Sequence, residues 1–205
     1  VEKETVLIPS MTRAELFGYL SADRHPGFAD EVARRVCEEN AVAELYRAVT
    51  DAWEEVPAAV RHRIRFRGAC VLERIWLGDA SRFMPFAAVF CRRDFAACTD
   101  PGVRRIFAKT MASLLGRYDP SPESWAVVAE AAAQWMLDPR SKPAVRIWAV
   151  EVLKRCRRRV GWVAESWDDL LAAVARDASP AVSCRLRRSW TDGTHRGDPG
   201  SIPVK

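Results

Sequence analysis

The stretch Asp100-Pro-Gly-Val-Arg-Arg-Ile-Phe-Ala-Lys-Thr-Met-Ala-Ser-Leu-Leu115 decides how the rest of the chain is read. Asp100 has the short acceptor side chain that satisfies free N–H groups at a helix start, and Pro101 suits a first turn, where no N–H donor is needed. Val103, Ile106, Phe107, Met111, Leu114 and Leu115 then form one apolar stripe at helical spacing. The stretch reads as the second helix of a two-helix unit.

Working outward, the same kind of segment recurs on both sides. Ala58–Leu77 carries Val60, Ile64, Ala69, Val71, Leu72, Ile75 and Trp76, and Gly78-Asp79 supplies a stop and a fresh cap. Phe83–Phe90 predicts a short helix, and Cys91–Thr99 an irregular connector. Beyond the break at Asp119-Pro-Ser-Pro122, Ser121 caps a helix with Trp125, Val128, Ala132, Trp135 and Met136. Pro143–Arg157 follows, then Leu170–Arg176 behind the cap pattern Ser166-Trp-Asp-Asp169, and Ala181–Trp190 as a last short helix. Towards the N-terminus, Thr12-Arg-Ala-Glu15 is a capping box that opens a short helix with Leu16, Phe17 and Leu20. Phe28–Glu39 and Ala41–Glu55 are amphipathic. No stretch alternates in the manner of a strand. Val1–Ser10 reads as a loose leader, residues 11–190 as one helical domain, and Thr191–Lys205, rich in Gly, Pro and polar residues, as a disordered tail.

Four helices align on their turns. Ile64-Arg-Phe-Arg-Gly-Ala69 matches Val103-Arg-Arg-Ile-Phe-Ala108, Pro101-Gly-Val-Arg matches Pro143-Ala-Val-Arg, and Ser179-Pro-Ala-Val182 repeats the Pro-x-Val start. A helix pair recurring at about 40 residues has the period of HEAT and armadillo arrays, in which no pair buries its stripe alone and stacked neighbours share a core. The chain resembles the HEAT-repeat family, whose second helices often begin Asp/Pro-x-x-Val-Arg with a small residue further on. Val103-Arg104 with Ala108 and Val145-Arg146 with Ala149 fit best, Ile64-Arg65 with Ala69 fits less closely, and Ser183 stands where the last copy lacks its arginine. The resemblance covers about Ala58–Trp190, and as a whole the chain is similar to small bacterial HEAT-like proteins. It implies an all-α, right-handed α-α superhelix of antiparallel helix pairs, and no activity. The repeated arginine is expected to cap or bridge to a neighbouring turn, such as one carrying Asp100 or Asp138.

Composition fits a globular chain with 49% hydrophobic and 29% charged residues, and no run approaches the ~18 apolar residues of a membrane helix. The net charge of +5 hides an asymmetry: Val1–Val60 holds 6 Lys and Arg against 12 Asp and Glu, whereas residues 61–205 hold 26 against 15. A basic C-terminal two-thirds can attract nucleic acid or an acidic protein surface, or be the solvated outside of an Arg-rich stack. Cys37, Cys70, Cys91, Cys98, Cys156 and Cys184 lack metal-ligand spacing. They read as free thiols in reduced cytoplasm, with no metal and no cofactor expected.

Chemistry-bearing patterns are thin. His25, His62 and His195 have no nucleophile or carboxylate at recognisable spacing, and no phosphate-binding glycine loop is present. Glu73, Asp79 and Asp168-Asp169 suit capping and solvation better than acid–base work. Among eight tryptophans, Trp76, Trp125, Trp135, Trp148 and Trp167 lie on apolar stripes and are assigned to the core. Trp53, Trp162 and Trp190 lie near helix ends and are candidate partner-facing anchors. The run Lys154-Arg155-Cys156-Arg157-Arg158-Arg159 is the densest cationic cluster, and its place at a helix end also opposes the helix dipole. If stacking aligns Arg65, Arg104, Arg105 and Arg146 with that run, a basic groove results.

The leading expectation is therefore a non-catalytic scaffold that docks a protein partner along one edge of the stack. The alternative is nucleic-acid binding through the basic surface of residues 61–188. An alkylated-base DNA glycosylase, an activity found on some HEAT-like folds, is a remote third that rests on fold-level analogy. No membrane partner is expected.

Overall fold

The computed structural model describes residues 11–22, 25–51, 53, 56–176 and 178–190. The expected leader at 1–10 and tail at 191–205 lie outside them. Every regular element among the described residues is helical. The N-terminal third comprises α1 (Arg13–Ser21), α2 (Phe28–Glu38), α3 (Val42–Thr50) and the long α4 (Ala58–Gly78). A chain of short turns follows: 3₁₀ turns at Ala80–Arg82 and Met84–Phe86, α5 (Ala87–Val89), a π turn at Phe90–Asp94 and α6 (Phe95–Ala97). Then come α7 (Pro101–Leu114), α8 (Pro122–Leu137), α9 (Pro143–Cys156), α10 (Gly161–Glu165), α11 (Trp167–Arg176), α12 (Pro180–Arg185) and a closing π turn at Leu186–Trp190.

Helix starts follow from local chemistry. The Thr12 hydroxyl accepts from Glu15 N–H while the Glu15 carboxylate accepts from Thr12 N–H at 2.7 Å, a reciprocal capping box. Asp100 caps α7 by accepting from Gly102 and Val103, and Ser121 and Ser179 do the same for α8 and α12.

The packing order is simple. α4 packs on α7, α7 on α9 and α9 on α12, while the 90–97 stretch packs on α8 and α8 on α9 and α11. α1, α2 and α3 pack on α4. Ala69, Ala108 and Ala149 are each buried in α4, α7 and α9, where a small side chain allows close helix approach. A run of rings ties the short turns to the helices beside them: Phe90 meets Phe107 at 4.9 Å and Phe95 meets Trp135 at 4.4 Å.

Four expectations need correction. The helix expected to reach Glu55 stops at Thr50, where Asp51 turns to extended backbone and Trp53 adopts φ +48; Pro57 also biases the residue before it away from helical geometry. The connector expected at Cys91–Thr99 is helical through Ala97. Phe95 N–H bonds to the Phe90 carbonyl, a π closure that accompanies burial of Phe90, Cys91, Asp94 and Phe95 together. α10 precedes the helix that Ser166 was expected to open, and α11 begins at Trp167. The last helix divides into α12 and a π turn.

Candidate functional site

The repeated arginines work inside the fold. Arg146 Nε donates to the Met136 carbonyl at 3.0 Å, Arg104 Nε donates to the Cys98 carbonyl at 2.8 Å, and Arg65 donates to the Asp51 carbonyl. In each case a half-buried guanidinium, in the first turn of α7 and α9 and further along α4, reaches a carbonyl at the end of the preceding helix, which lacks an intrahelical donor. Arg104 also lies over Trp135 at 5.3 Å. The bridge expected to a neighbouring turn, such as one carrying Asp100 or Asp138, is thus made through backbone carbonyls, those of Cys98 and Met136 standing just before these two residues. Three of the arginines expected in a basic groove are occupied, and Arg105, half-buried on α7, lines none of the clefts described below.

The 154–159 run sits elsewhere. Nine residues separate Arg146 from Arg155, roughly 13 Å along the axis of α9. At that far end, the loop after α7 meets the end of α9 around a cleft of about 560 Å³. Its cations are Arg117, Lys154, Arg155, Arg158 and Arg159, and its acids are Asp119 and Glu151. Both acids are engaged. Asp119 accepts from Trp125 Nε1 and from Arg159, each at 2.9 Å. Glu151 accepts from Trp190 Nε1 at 3.0 Å and lies 3.6 Å from Arg185. Lys154 Nζ donates to the Ser189 carbonyl at 2.7 Å, and Arg117 lies over Trp76 at 5.4 Å. Arg155 and Arg158 are exposed and form no ion pair among the described residues. Arg157 points away from the cleft, over the Trp167 ring at 5.1 Å.

The three anchor tryptophans fare differently. Trp162 is 36% exposed. Trp53 is half-buried, with Arg13 stacked at 4.0 Å and its indole N–H donated to Ala48. Trp190 is buried at 1% exposure, so it faces the core and not a partner. Burial as a core residue holds for Trp76, Trp125, Trp135 and Trp167, whereas Trp148 is only half-buried.

Sequence reasoning passed over Arg117, although the repeat carried a signal for it. At the offset that relates Pro101 to Pro143, Arg117 falls on Arg159, and the two flank the same cleft. It also gave His62 no carboxylate, yet His62 Nδ1 meets Asp100 Oδ2 across the α4–α7 contact. The buried Asp94 was missed as well. Tyr46 O–H donates to it at 2.7 Å and Arg93 Nε at 2.6 Å.

Three of the six thiols are strongly held back by burial. Burial pushes the thiols of Cys91, Cys98 and Cys156 up to about 12, which keeps them protonated and poorly nucleophilic near neutral pH. No trio of His, Cys, Asp or Glu among the described residues is placed to hold a metal ion, and no described helix is long and apolar enough to cross a membrane. Compared with known protein families, with curated proteins and with solved structures, the chain matches none.

Proposed function

We propose that this chain is a non-catalytic binding protein, built as a HEAT-like right-handed superhelix, that holds the phosphate backbone of a nucleic acid in the cleft between the α7–α8 loop and the end of α9. One observation carries the reading. Arg155 and Arg158 stand exposed in a cationic cleft whose two carboxylates are already engaged by other groups. Guanidinium groups in that state pair readily with phosphate oxygens. The repeat spacing and the α4–α7–α9–α12 packing order support the superhelical architecture.

The protein-docking reading has less support. Val60, Leu77, Leu137 and Trp162 are exposed, but they belong to both ends of α4, the end of α8 and α10, and single exposed apolar side chains are ordinary.

Fluorescence anisotropy with short DNA and RNA strands tests the proposal. Engagement of about three phosphates by the cleft gives a log–log salt slope of about −2 for a single strand. The double charge reversal Arg155→Glu and Arg158→Glu removes most of that binding. Absence of binding at low salt, or binding indifferent to salt and to this variant, rejects the nucleic-acid reading and leaves protein docking.

A further inference from the structure

The cationic cleft has a neighbour of different chemistry. A hollow of about 330 Å³ opens among α4, α7 and α9, and Glu151 and Arg155 line both spaces. Around the hollow stand the half-buried Trp148, the Leu77 side chain at 57% exposure, Thr110 and Ser113. Trp76 is held beneath by its N–H donation to Ser113 at 3.1 Å. Glu73 and Lys109 form an ion pair at 2.6 Å on the rim, and Lys109 Nζ lies 6.0 Å from the Trp148 ring centre. The indole N–H of Trp148 makes no hydrogen bond among the described residues.

Charge separates the two compartments. The lining of the cleft carries five cations against two acids, whereas that of the hollow, which shares Arg155 and Glu151 with it, carries two of each, Lys109 and Arg155 against Glu73 and Glu151. A second phosphate gains nothing in a neutral hollow with two carboxylates. A flat, uncharged group with a polar edge gains stacking on Trp148 and a partner for its indole N–H. A nucleotide has the same division: an anionic phosphate joined to an uncharged base with a π face and a donor–acceptor edge. In a duplex those faces are covered by neighbouring pairs, and only an unpaired strand offers one.

We infer that the hollow seats a base of single-stranded nucleic acid on Trp148, with the adjoining phosphate on Arg155 and Arg158. The inference rests on the reading of the cleft as a phosphate site, and it narrows the ligand from nucleic acid in general to an unpaired strand.

The full chain, Trp148→Leu and Trp148→Phe are titrated by anisotropy with three probes of equal length: an oligothymidylate, a strand of abasic sites and a duplex. The expected result is that the full chain prefers oligothymidylate to the abasic strand by roughly tenfold, the scale of one stacked base. Trp148→Leu abolishes that preference without changing abasic affinity, and that unchanged affinity shows that the variant is folded. Trp148→Phe, which keeps a ring, retains most of it. Equal affinity for the base-bearing and abasic strands, or tighter binding of the duplex, overturns the base seat while salt-dependent binding keeps the phosphate cleft standing. Failure of all three probes to bind at low salt overturns both.

Discussion

Arg146, early in α9, reaches back to the carbonyl of Met136 in the last turn of α8, at 3.0 Å, and so closes the turn between two helices that pack along their length. A charged donor on a carbonyl without an intrahelical partner is worth more than an ordinary hydrogen bond, and its removal strands the acceptor. Arg146→Ala is expected to lower stability by about 1.5 kcal/mol, or Tm by about 3–6 °C for a chain of this size. Nucleic-acid affinity should stay within about twofold, because Arg146 lies roughly 13 Å along α9 from Arg155. Thermal unfolding and anisotropy on the same preparation check both halves. A loss of affinity matching that of Arg155→Glu would mean that Arg146 belongs to the binding surface after all.

That contact shows what a sequence carries and what it does not. Val103-Arg104 and Val145-Arg146 announced a repeated structural role, and the apolar stripes placed α4, α7, α8 and α9 within a residue or two. Which atom each guanidinium meets is a tertiary matter. The same periodicity that exposed the repeat invited Arg65, Arg104 and Arg146 into one groove with residues 154–159, although a helix of 14 residues is long enough to hold two separate arginine sites at its ends. Trp190 followed a similar course. Its place near a helix end suggested a partner-facing anchor, but its indole spans to Glu151, 39 residues away, and no local pattern encodes that partner. The π turn at Phe90–Asp94 was illegible for another reason: its one extra residue per turn breaks the period by which helices are read.

Burial of ionisable groups predicts an alkaline limit to stability. Burial pushes the thiols of Cys91, Cys98 and Cys156 up to about 12 in the folded chain against 9.0 for an ordinary thiol, and burial, with the Asp94 contact second, raises the Tyr46 phenol as well. Folded values above unfolded ones mean that the folded chain keeps protons the unfolded chain has released. The thiols' stabilising contribution is whole below pH 9 and is lost as pH climbs toward 12, and that of Tyr46 begins to fall only above pH 10. Each thiol accounts for at most about 1.4 kcal/mol per pH unit in that window. Urea midpoints under reducing conditions should be level between pH 7 and pH 8 and fall between pH 9 and pH 10.5, with a shallower fall in Cys91→Ala, where one titrating group is gone. A midpoint that holds to pH 10.5 would show these thiols to be hydrated.

Gly68 sets how closely α3 approaches α4. A Cβ at this position would lie 2.7 Å from Val49 Cγ2, with Leu45 and Leu20 methyls at 3.5 and 3.6 Å. Val49 is buried and β-branched, so it has few rotamers in which to give way. Alanine would favour the helix itself by up to about 1 kcal/mol, but overpacking a filled core costs about 1–3 kcal/mol. Gly68→Ala is thus expected to be destabilising by about 1 kcal/mol net, and the double variant with Val49→Ala should lose less stability than the sum of the two single losses. Chemical denaturation of the double-mutant cycle decides it. Simple additivity would place the clash elsewhere.

Trp190 links the end of the described chain to the acid balance of the cleft. Its indole N–H holds Glu151 at 3.0 Å, its carbonyl accepts from Trp167 at 3.3 Å, and the neighbouring Ser189 carbonyl accepts from Lys154. Trp190→Ala empties a buried site and should cost about 3–5 kcal/mol, too much for a binding readout to be interpretable. Trp190→Phe is the informative change. It keeps most of the packing, loses one hydrogen bond at a cost of about 1–2 kcal/mol, and leaves Glu151 free to pair with Arg155 along the shared rim. An arginine paired with its own carboxylate competes with phosphate, so oligonucleotide affinity should fall by about 3- to 10-fold, with a shallower salt slope. Adding Glu151→Gln to Trp190→Phe should restore the lost affinity, because the competing charge is removed. Unchanged binding in Trp190→Phe would show that Arg185 alone holds Glu151 in place.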